Sequence, residues 1–201
     1  MIRKLIAVVF LLLPGTAFSA TIPFIGGNTT VEITADLNGL GLAGAPFLFA
    51  SVDTSGPNPV FSFPITGGST NGNTLIEHDG SGVTLAALSD PTINATVSNF
   101  LIDVGAGTVS GNVNGSTDQA VLFDFGTVDG SGIQLLIADP LAGALTSVFG
   151  APDLAGAEFG IANAFPETAN VPAVPLPAGL PLLAVGLGGF WFVRRNQRTD
   201  H

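Results

Sequence analysis

Apolar and polar residues alternate along much of the chain between residues 29 and 138. The segment Val-Glu-Ile-Thr-Ala-Asp at 31–36 alternates strictly, which is typical of a half-buried strand. Asn-Gly or Asp-Gly pairs, which favour tight turns, begin at residues 38, 71, 79, 114 and 129. The pattern predicts strands at 29–37, 47–52, 60–65, 74–78, 82–88, 93–104, 107–113, 119–125 and 132–138. We therefore expect an all-β domain, an antiparallel β-sandwich with one short helix.

The helix is predicted directly after the last of these strands. Asp139 can cap it, Pro140 suits its first turn, and Gly150 can end it. A final strand is predicted at 157–165. The segments 78–88 and 128–138 share the letters Asp-Gly-Ser-Gly, which indicates either a duplicated hairpin or one favoured turn made twice.

The first nineteen residues have the order of a secretory signal peptide. A short basic start is followed by nine apolar residues from Leu5 to Leu13, then Pro14 and Gly15, then small residues. Nine residues are too few to span a bilayer about 30 Å thick, which argues against a retained anchor. We expect a signal-peptide helix that is cleaved after Ser19; a buried N-terminal helix is the alternative.

A second apolar run, 179–193, lies near the other end of the chain. Arg194 and Arg195 end it abruptly, and Trp191 stands where an aromatic ring suits the headgroup region. The run predicts a short transmembrane helix with the arginines as a membrane stop on the cytoplasmic side. The alternative, a buried core helix, leaves the arginines without a role.

The residues before this run are Val174, Pro175, Leu176, Pro177 and Ala178. With the apolar segment and the Arg-rich end, they resemble the VPLPA-CTERM sorting signal, a relative of the PEP-CTERM signals of Gram-negative bacteria. The resemblance implies processing by an exosortase, a multi-pass membrane peptidase or transpeptidase. It also implies an exported protein, first anchored in the inner membrane and then at the cell surface or outside, in contact with extracellular polysaccharide.

Together these features predict four segments. They are a signal peptide at 1–19, a β-rich extracytoplasmic domain at 20–165, a Pro-rich linker at 166–173 and the sorting signal at 174–201. The linker prolines favour an extended chain that keeps the domain away from the membrane.

Charge is distributed unevenly along the chain. All 5 Lys and Arg residues lie at the two ends, whereas every acidic residue except Asp200 lies between residues 5 and 193. Such an acidic body repels phosphate backbones, so nucleic-acid binding is excluded. Since the chain has no cysteine, its stability must come from burial of apolar side chains rather than from disulfides.

Candidate chemistry is sparse. His78 is flanked by Glu77 and Asp79, with Ser81 nearby, but neighbours in sequence on a turn rarely converge into a catalytic triad. We expect no cofactor, with Ca²⁺ as the one candidate, because hard cations take carboxylate oxygens from turns. The candidate ligands are Asp79, Asp118, Asp124 and Asp129; the plainer interpretation is that these aspartates form turns and keep the protein soluble.

Two classes of function compete. The first is a non-catalytic exported surface or extracellular-matrix protein, which the lack of a catalytic constellation favours. The second is a secreted, carboxylate-dependent glycoside hydrolase, which needs two acids about 5–10 Å apart in a cleft. A Ca²⁺-binding, adhesin-like module and a pocket for a small apolar ligand stay open as alternatives.

Overall fold

The computed structural model describes residues 21–70 and 73–170. The predicted signal peptide, sorting motif and transmembrane segment lie outside the described residues. Ala20–Ala169 forms one compact unit. Its strands are β1 (Ile22–Ile33), β2 (Leu42–Leu48), β3 (Ser51–Asp53), β4 (Val60–Pro64), β5 (Gly67–Thr70), β6 (Thr74–Ala87), β7 (Asn94–Asp103), β8 (Thr108–Val113), β9 (Gln119–Asp129), β10 (Gly132–Ile137) and β11 (Glu158–Thr168), and its helix is α1 (Asp139–Phe149).

All strand pairs are antiparallel and belong to one sheet. Strands β5 to β11 lie side by side in sequence order. Strand β1 pairs with β5 at one end of this series and with β11 at the other, and it thereby closes the sheet. Strands β4 and β3 extend from β1, while β2 pairs with β6. The predicted antiparallel all-β fold with one short helix is confirmed. The facing layers expected of a sandwich are here parts of a single continuous sheet.

The alternation seen in the sequence places one side of most of the longer strands in a common core. On β1, Thr29, Val31 and Ile33 are buried, whereas Asn28 is exposed. Helix α1 adds to this core because Leu141, Ala142 and Leu145 are buried on one of its faces. The remaining members of the core come from the strands around the sheet, among them Phe61, Phe63, Ile76, Leu85, Val97, Phe100, Ile102, Val109, Phe123, Leu135 and Ala162.

The predicted turn at Asp79-Gly80 is wrong, since 74–78 and 82–88 belong to one strand. His78 pairs with Phe100 and Gly82 pairs with Ser98, so three residues of β6 oppose the single residue Asn99. This is a bulge. On its other edge β6 pairs with β5 before the bulge and with β2 after it. The bulge therefore lies where β6 exchanges one partner for another.

Other boundaries also shift. The predicted strand 47–52 is split between β2 and β3, because Leu48 adopts a left-handed φ of 52°. The short strand β5, with the sequence Gly-Gly-Ser-Thr, has no apolar alternation and is absent from the prediction. The turn expected at residue 71 lies in the gap between the described ranges.

Helix α1 begins and ends close to its predicted positions. Gly150 ends it, as predicted; the structure shows it in the left-handed conformation, with its N–H donating to the Thr146 carbonyl. The N-cap is Ala138 rather than Asp139, and no side chain caps the helix; Asp139 lies in the first turn instead. A carboxylate there still favours the helix through its dipole.

The predicted linker begins too early. Strand β11 continues to Thr168, so residues 166–168 belong to the sheet rather than to a linker. The reason is that β1 begins at Ile22 and offers a partner along this stretch: Phe24 pairs with Thr168, and Gly27 pairs with Pro166. The alternation that predicted strands did not extend into residues 22–28, so this pairing went unpredicted.

Candidate functional site

The four candidate calcium ligands do not converge. Asp79 lies on β6, and β7 and β8 separate it from β9, a distance of about 14 Å at the usual strand spacing. Asp118 precedes β9, Asp124 lies within it, and Asp129 ends it. Ca²⁺ needs oxygens about 2.3–2.6 Å away. Within residues 21–70 and 73–170, no three His, Asp or Glu side chains are grouped closely enough to hold a metal ion.

Asp129 instead shapes a turn. Its carboxylate accepts hydrogen bonds from the Ser131 hydroxyl and the Ser131 N–H, and these bonds lower its pKa. Three further aspartates accept hydrogen bonds from nearby donors, two at the ends of strands and one between strands, and the pKa of each is also lowered: Asp53, Asp103 and Asp90. Of the four candidate ligands, Asp129 thus behaves as the plainer interpretation, a turn-forming aspartate, expects.

Every Asp and Glu of the described residues is at least partly exposed. Thr34 and Gln134 donate hydrogen bonds of 2.7 and 2.6 Å to the carboxylate of Glu158, and they lower its pKa. A general acid for glycoside hydrolysis needs the opposite shift, which burial produces. The carboxyl shifts resolved in the described domain are all downward.

His78 points into the core and is 1% exposed. Its Nδ1 lies 3.3 Å from the Phe100 carbonyl oxygen and its Nε2 lies 2.8 Å from the Thr29 hydroxyl. Since a carbonyl only accepts, a neutral ring with its proton on Nδ1 satisfies both contacts, with Thr29 donating to Nε2. Burial lowers the pKa of His78 to about 4. Ser81 donates to the His78 backbone carbonyl, not to the ring.

A cavity of about 60 Å³ lies inside the closed sheet. Thr29 and His78 are its polar lining residues; the rest of the lining is apolar and includes Phe63, Phe100, Phe123 and Leu145. A drug-sized ligand needs about 300–1,000 Å³. The apolar pocket considered from the sequence therefore has much less room than such a ligand requires.

The bulge on β6 faces a residue of unusual backbone conformation. Asn99 opposite it has a left-handed φ of 54°, and its side-chain oxygen accepts the Gly80 N–H at 2.8 Å. Phe49 lies over Gly80, donates its N–H to the Gly80 carbonyl, and is 72% exposed. Backbone strain of this kind is often kept for a function. The sequence marks the place by the Asp79-Gly80 pair but does not show that a strand runs through it.

The closed sheet has two distinct ends. The terminal end is the one where β1 begins and β11 ends. The links from β7 to β8 and from β9 to β10 also lie there. The distal end is the opposite one, which carries α1 and the links from β1 to β2, β3 to β4, β6 to β7 and β8 to β9. Because β1 and β11 are antiparallel neighbours, both ends of the described domain leave at the terminal end, where Ala169 donates its N–H to the Pro23 carbonyl.

Charge and apolar exposure separate between these ends. Most carboxylates of the domain lie at or near the distal end: Glu32, Asp36, Asp53, Asp90, Asp118, Asp139, Asp153 and Glu158. The terminal end has fewer carboxylates, Asp103, Asp129 and Glu167. It carries most of the exposed large apolar side chains, Ile22, Ile25, Val104, Val128 and Phe165. Leu88 and Ile93 are exposed at the distal end.

No helix among the described residues is both long enough and apolar enough to cross a bilayer. The sorting motif 174–178 and the stop residues Arg194 and Arg195 lie outside the described ranges. The sorting signal, which has the most specific motif of the sites predicted from the sequence, therefore stays a prediction.

Neither a family model nor a curated protein matches this chain. Among solved structures, it is similar to the C-terminal domain of HtaA from Corynebacterium glutamicum. The two are 10% identical with a TM-score of 0.48, and the match covers 73% of this chain and 98% of that domain. A similarity this low transfers nothing from that domain to this chain.

Proposed function

We propose that this chain is a non-catalytic exported surface or extracellular-matrix protein. Its leader directs export, an exosortase recognises residues 174–178, and the apolar run 179–193 holds the precursor in the inner membrane until processing. The described domain is the part that is displayed or released. Ca²⁺ is not required in this proposal, and contact with polysaccharide belongs to the displayed domain.

The pairing of β1 with β11 is the observation that carries the proposal. It brings Ile22 and Thr168 to the same end of the sheet, one next to the leader and the other next to the tail. The leader that directs export and the tail that anchors the precursor are then both attached to the same end of the domain. The acidic distal end is left free to meet cations, matrix or solvent.

The test follows the protein through the native organism with an antibody to the domain. We expect surface or extracellular material whose intact mass lacks the tail, and full-length protein in the inner membrane of a strain without exosortase. A Pro175→Ala/Pro177→Ala variant should accumulate like the exosortase-free strain, since it loses the extended segment that a peptidase binds as a strand.

Asn196→Ala, outside the motif but in the same tail, is the matched control and should be processed normally. Full-length protein in the cytosolic fraction would contradict export. Surface protein that still carries its tail would contradict processing.

A further inference from the structure

Five large apolar side chains at or near the terminal end are exposed to solvent. Ile25 is 66% exposed and Phe165 is 63% exposed. Phe165 lies opposite Asn28 on the outer side of the sheet. Ile25 falls where the pairing between β1 and β11 shifts register, between Phe24 and Gly26, so it has no partner on β11. Ile22 lies three residues before it and is 37% exposed.

Leaving these side chains in water forgoes free energy. Burial of an Ile or Phe side chain is favourable because it removes apolar surface from water. The same end carries Val104 and Val128, which are 44% and 64% exposed. We refer to Ile22, Ile25, Val104, Val128 and Phe165 together as the terminal apolar patch.

The length of the chain beyond β11 limits what can cover this patch. Ten residues lie between Thr168 and Gly179, where the apolar run begins, so eleven Cα–Cα steps join the two. Fully extended, they reach at most about 36–40 Å. This tether limits how far the terminal end can lie from a bilayer that takes up the run.

Charge determines which lipid suits the patch. Glu167, Asp103 and Asp129 lie at the same end, and no Lys or Arg occurs between residues 5 and 193. Binding to an anionic bilayer normally rests on basic residues near the surface. A patch with carboxylates and no cation is repelled by anionic lipid, so a zwitterionic surface fits best.

We infer that the terminal apolar patch contacts the headgroup region of a zwitterionic bilayer while the precursor is anchored, and that it thereby holds the acidic distal end away from the membrane. This inference rests on the proposed function, because it requires the apolar run to insert. It adds an orientation of the domain and a lipid-contact surface on the domain itself.

The absence of cysteine makes the test direct, since any introduced thiol is the only one. Full-length chains carrying Ile25→Cys or Phe165→Cys are labelled with an environment-sensitive fluorophore and reconstituted in phosphatidylcholine vesicles that contain nitroxide lipid. Leu88→Cys and Ile93→Cys are the matched controls, being exposed apolar residues at the distal end. We expect quenching of several fold at 25 and 165, and none at 88 and 93.

Flotation of the same vesicles separates the two proposals. A chain that does not float with the vesicles contradicts the proposed anchoring. A chain that floats but is unquenched at 25 and 165 overturns the lipid contact alone. Equal quenching at all four sites overturns the orientation.

Two further experiments test whether lipid or a second copy of the chain covers the terminal apolar patch. Replacing part of the phosphatidylcholine by phosphatidylglycerol should reduce quenching at 25 and 165 at low salt, and salt should restore it. If instead the thiols at 25 and 165 cross-link between chains and are shielded equally with and without nitroxide lipid, a second copy covers the patch and the lipid inference is wrong.

Discussion

At the scale of single residues, His78 has the largest consequence for the domain. It is a titratable group enclosed by apolar side chains, and its ring meets Phe63 edge-on with the ring centres 6.4 Å apart. Both ring nitrogens have a partner, and the Thr29 hydroxyl can accept as well as donate, so the charged ring is disfavoured because burial removes it from water. The described residues contain no buried side-chain nitrogen or oxygen without a partner.

Acid should therefore destabilise the domain as the pH falls below 6.5, the ordinary pKa of histidine. The pKa of His78 falls from 6.5 in the unfolded chain to about 4 in the folded one. As pH drops from 6.5 to 4, the unfolded chain gains a proton that the folded domain refuses, so the free energy of unfolding falls. The full loss is roughly 3 kcal/mol, at about 1.4 kcal/mol for each tenfold change. Urea denaturation at pH 7 and pH 4.5 measures it.

The control removes both polar partners. Thr29→Val/His78→Leu should cost little at pH 7, since the two side chains that bond each other are replaced together and only the Phe100 carbonyl loses a side-chain donor. Its stability should vary less between pH 7 and pH 4.5 than that of the original chain. An unchanged pH dependence would mean that His78 is not the group responsible.

At the scale of elements, identical letters form different structures. Asp-Gly-Ser-Gly at 129–132 is the turn between β9 and β10, whereas at 79–82 it is a bulge inside β6. Neither a duplicated hairpin nor one turn made twice is correct. The local residues allow both outcomes; the difference is that β7 runs opposite both halves of β6. A partner strand distant in sequence therefore decides the conformation, and a short window of sequence does not contain it.

Asn99 should anchor this bulge. Its side chain accepts the Gly80 N–H and donates to the Asn112 side-chain oxygen at 3.1 Å, and its φ of 54° suits Asn or Gly. Asn99→Ala loses both hydrogen bonds and is strained, so we expect a loss of about 2–3 kcal/mol in the free energy of unfolding. Asn99→Gly loses the bonds but relieves the strain, and should be about 1 kcal/mol more stable than Asn99→Ala. Equal urea midpoints for the two variants would show that the backbone is not strained.

Helix α1 contains one glycine, and a second glycine ends it; we expect substitution of the two to change the free energy of unfolding in opposite directions. Gly143 lies inside the helix, is exposed, and has open space where a Cβ would be. Gly143→Ala should raise the free energy of unfolding by about 0.5–1 kcal/mol. Gly150 ends the helix with a φ of 67°, so Gly150→Ala should lower it by about 1 kcal/mol. Thermal unfolding followed by circular dichroism compares the two; the same sign for both would contradict the cap.

At the scale of the whole molecule, closure of the sheet is the feature that the sequence pattern does not predict. The alternation around Val31 and Ile33 predicts a strand and the side it buries, and both are confirmed. It does not reveal that β1 joins β11 across more than a hundred residues. Gly160 of β11 marks this contact, because a Cβ there would meet the Glu32 backbone carbonyl. The closed sheet gives the domain an acidic end and an apolar end. The sequence shows which residues are charged but does not show that they gather at one end.

That arrangement gives a last expectation. Carboxylates gathered at the distal end repel one another, and the body has no Lys or Arg to offset them. Monovalent salt should therefore raise the melting temperature by a few degrees as it screens the repulsion. At equal ionic strength CaCl₂ and MgCl₂ should act alike, since Asp79, Asp118, Asp124 and Asp129 lie too far apart to share an ion. A larger rise with Ca²⁺ in differential scanning calorimetry would restore the calcium hypothesis, with ligands other than these four together.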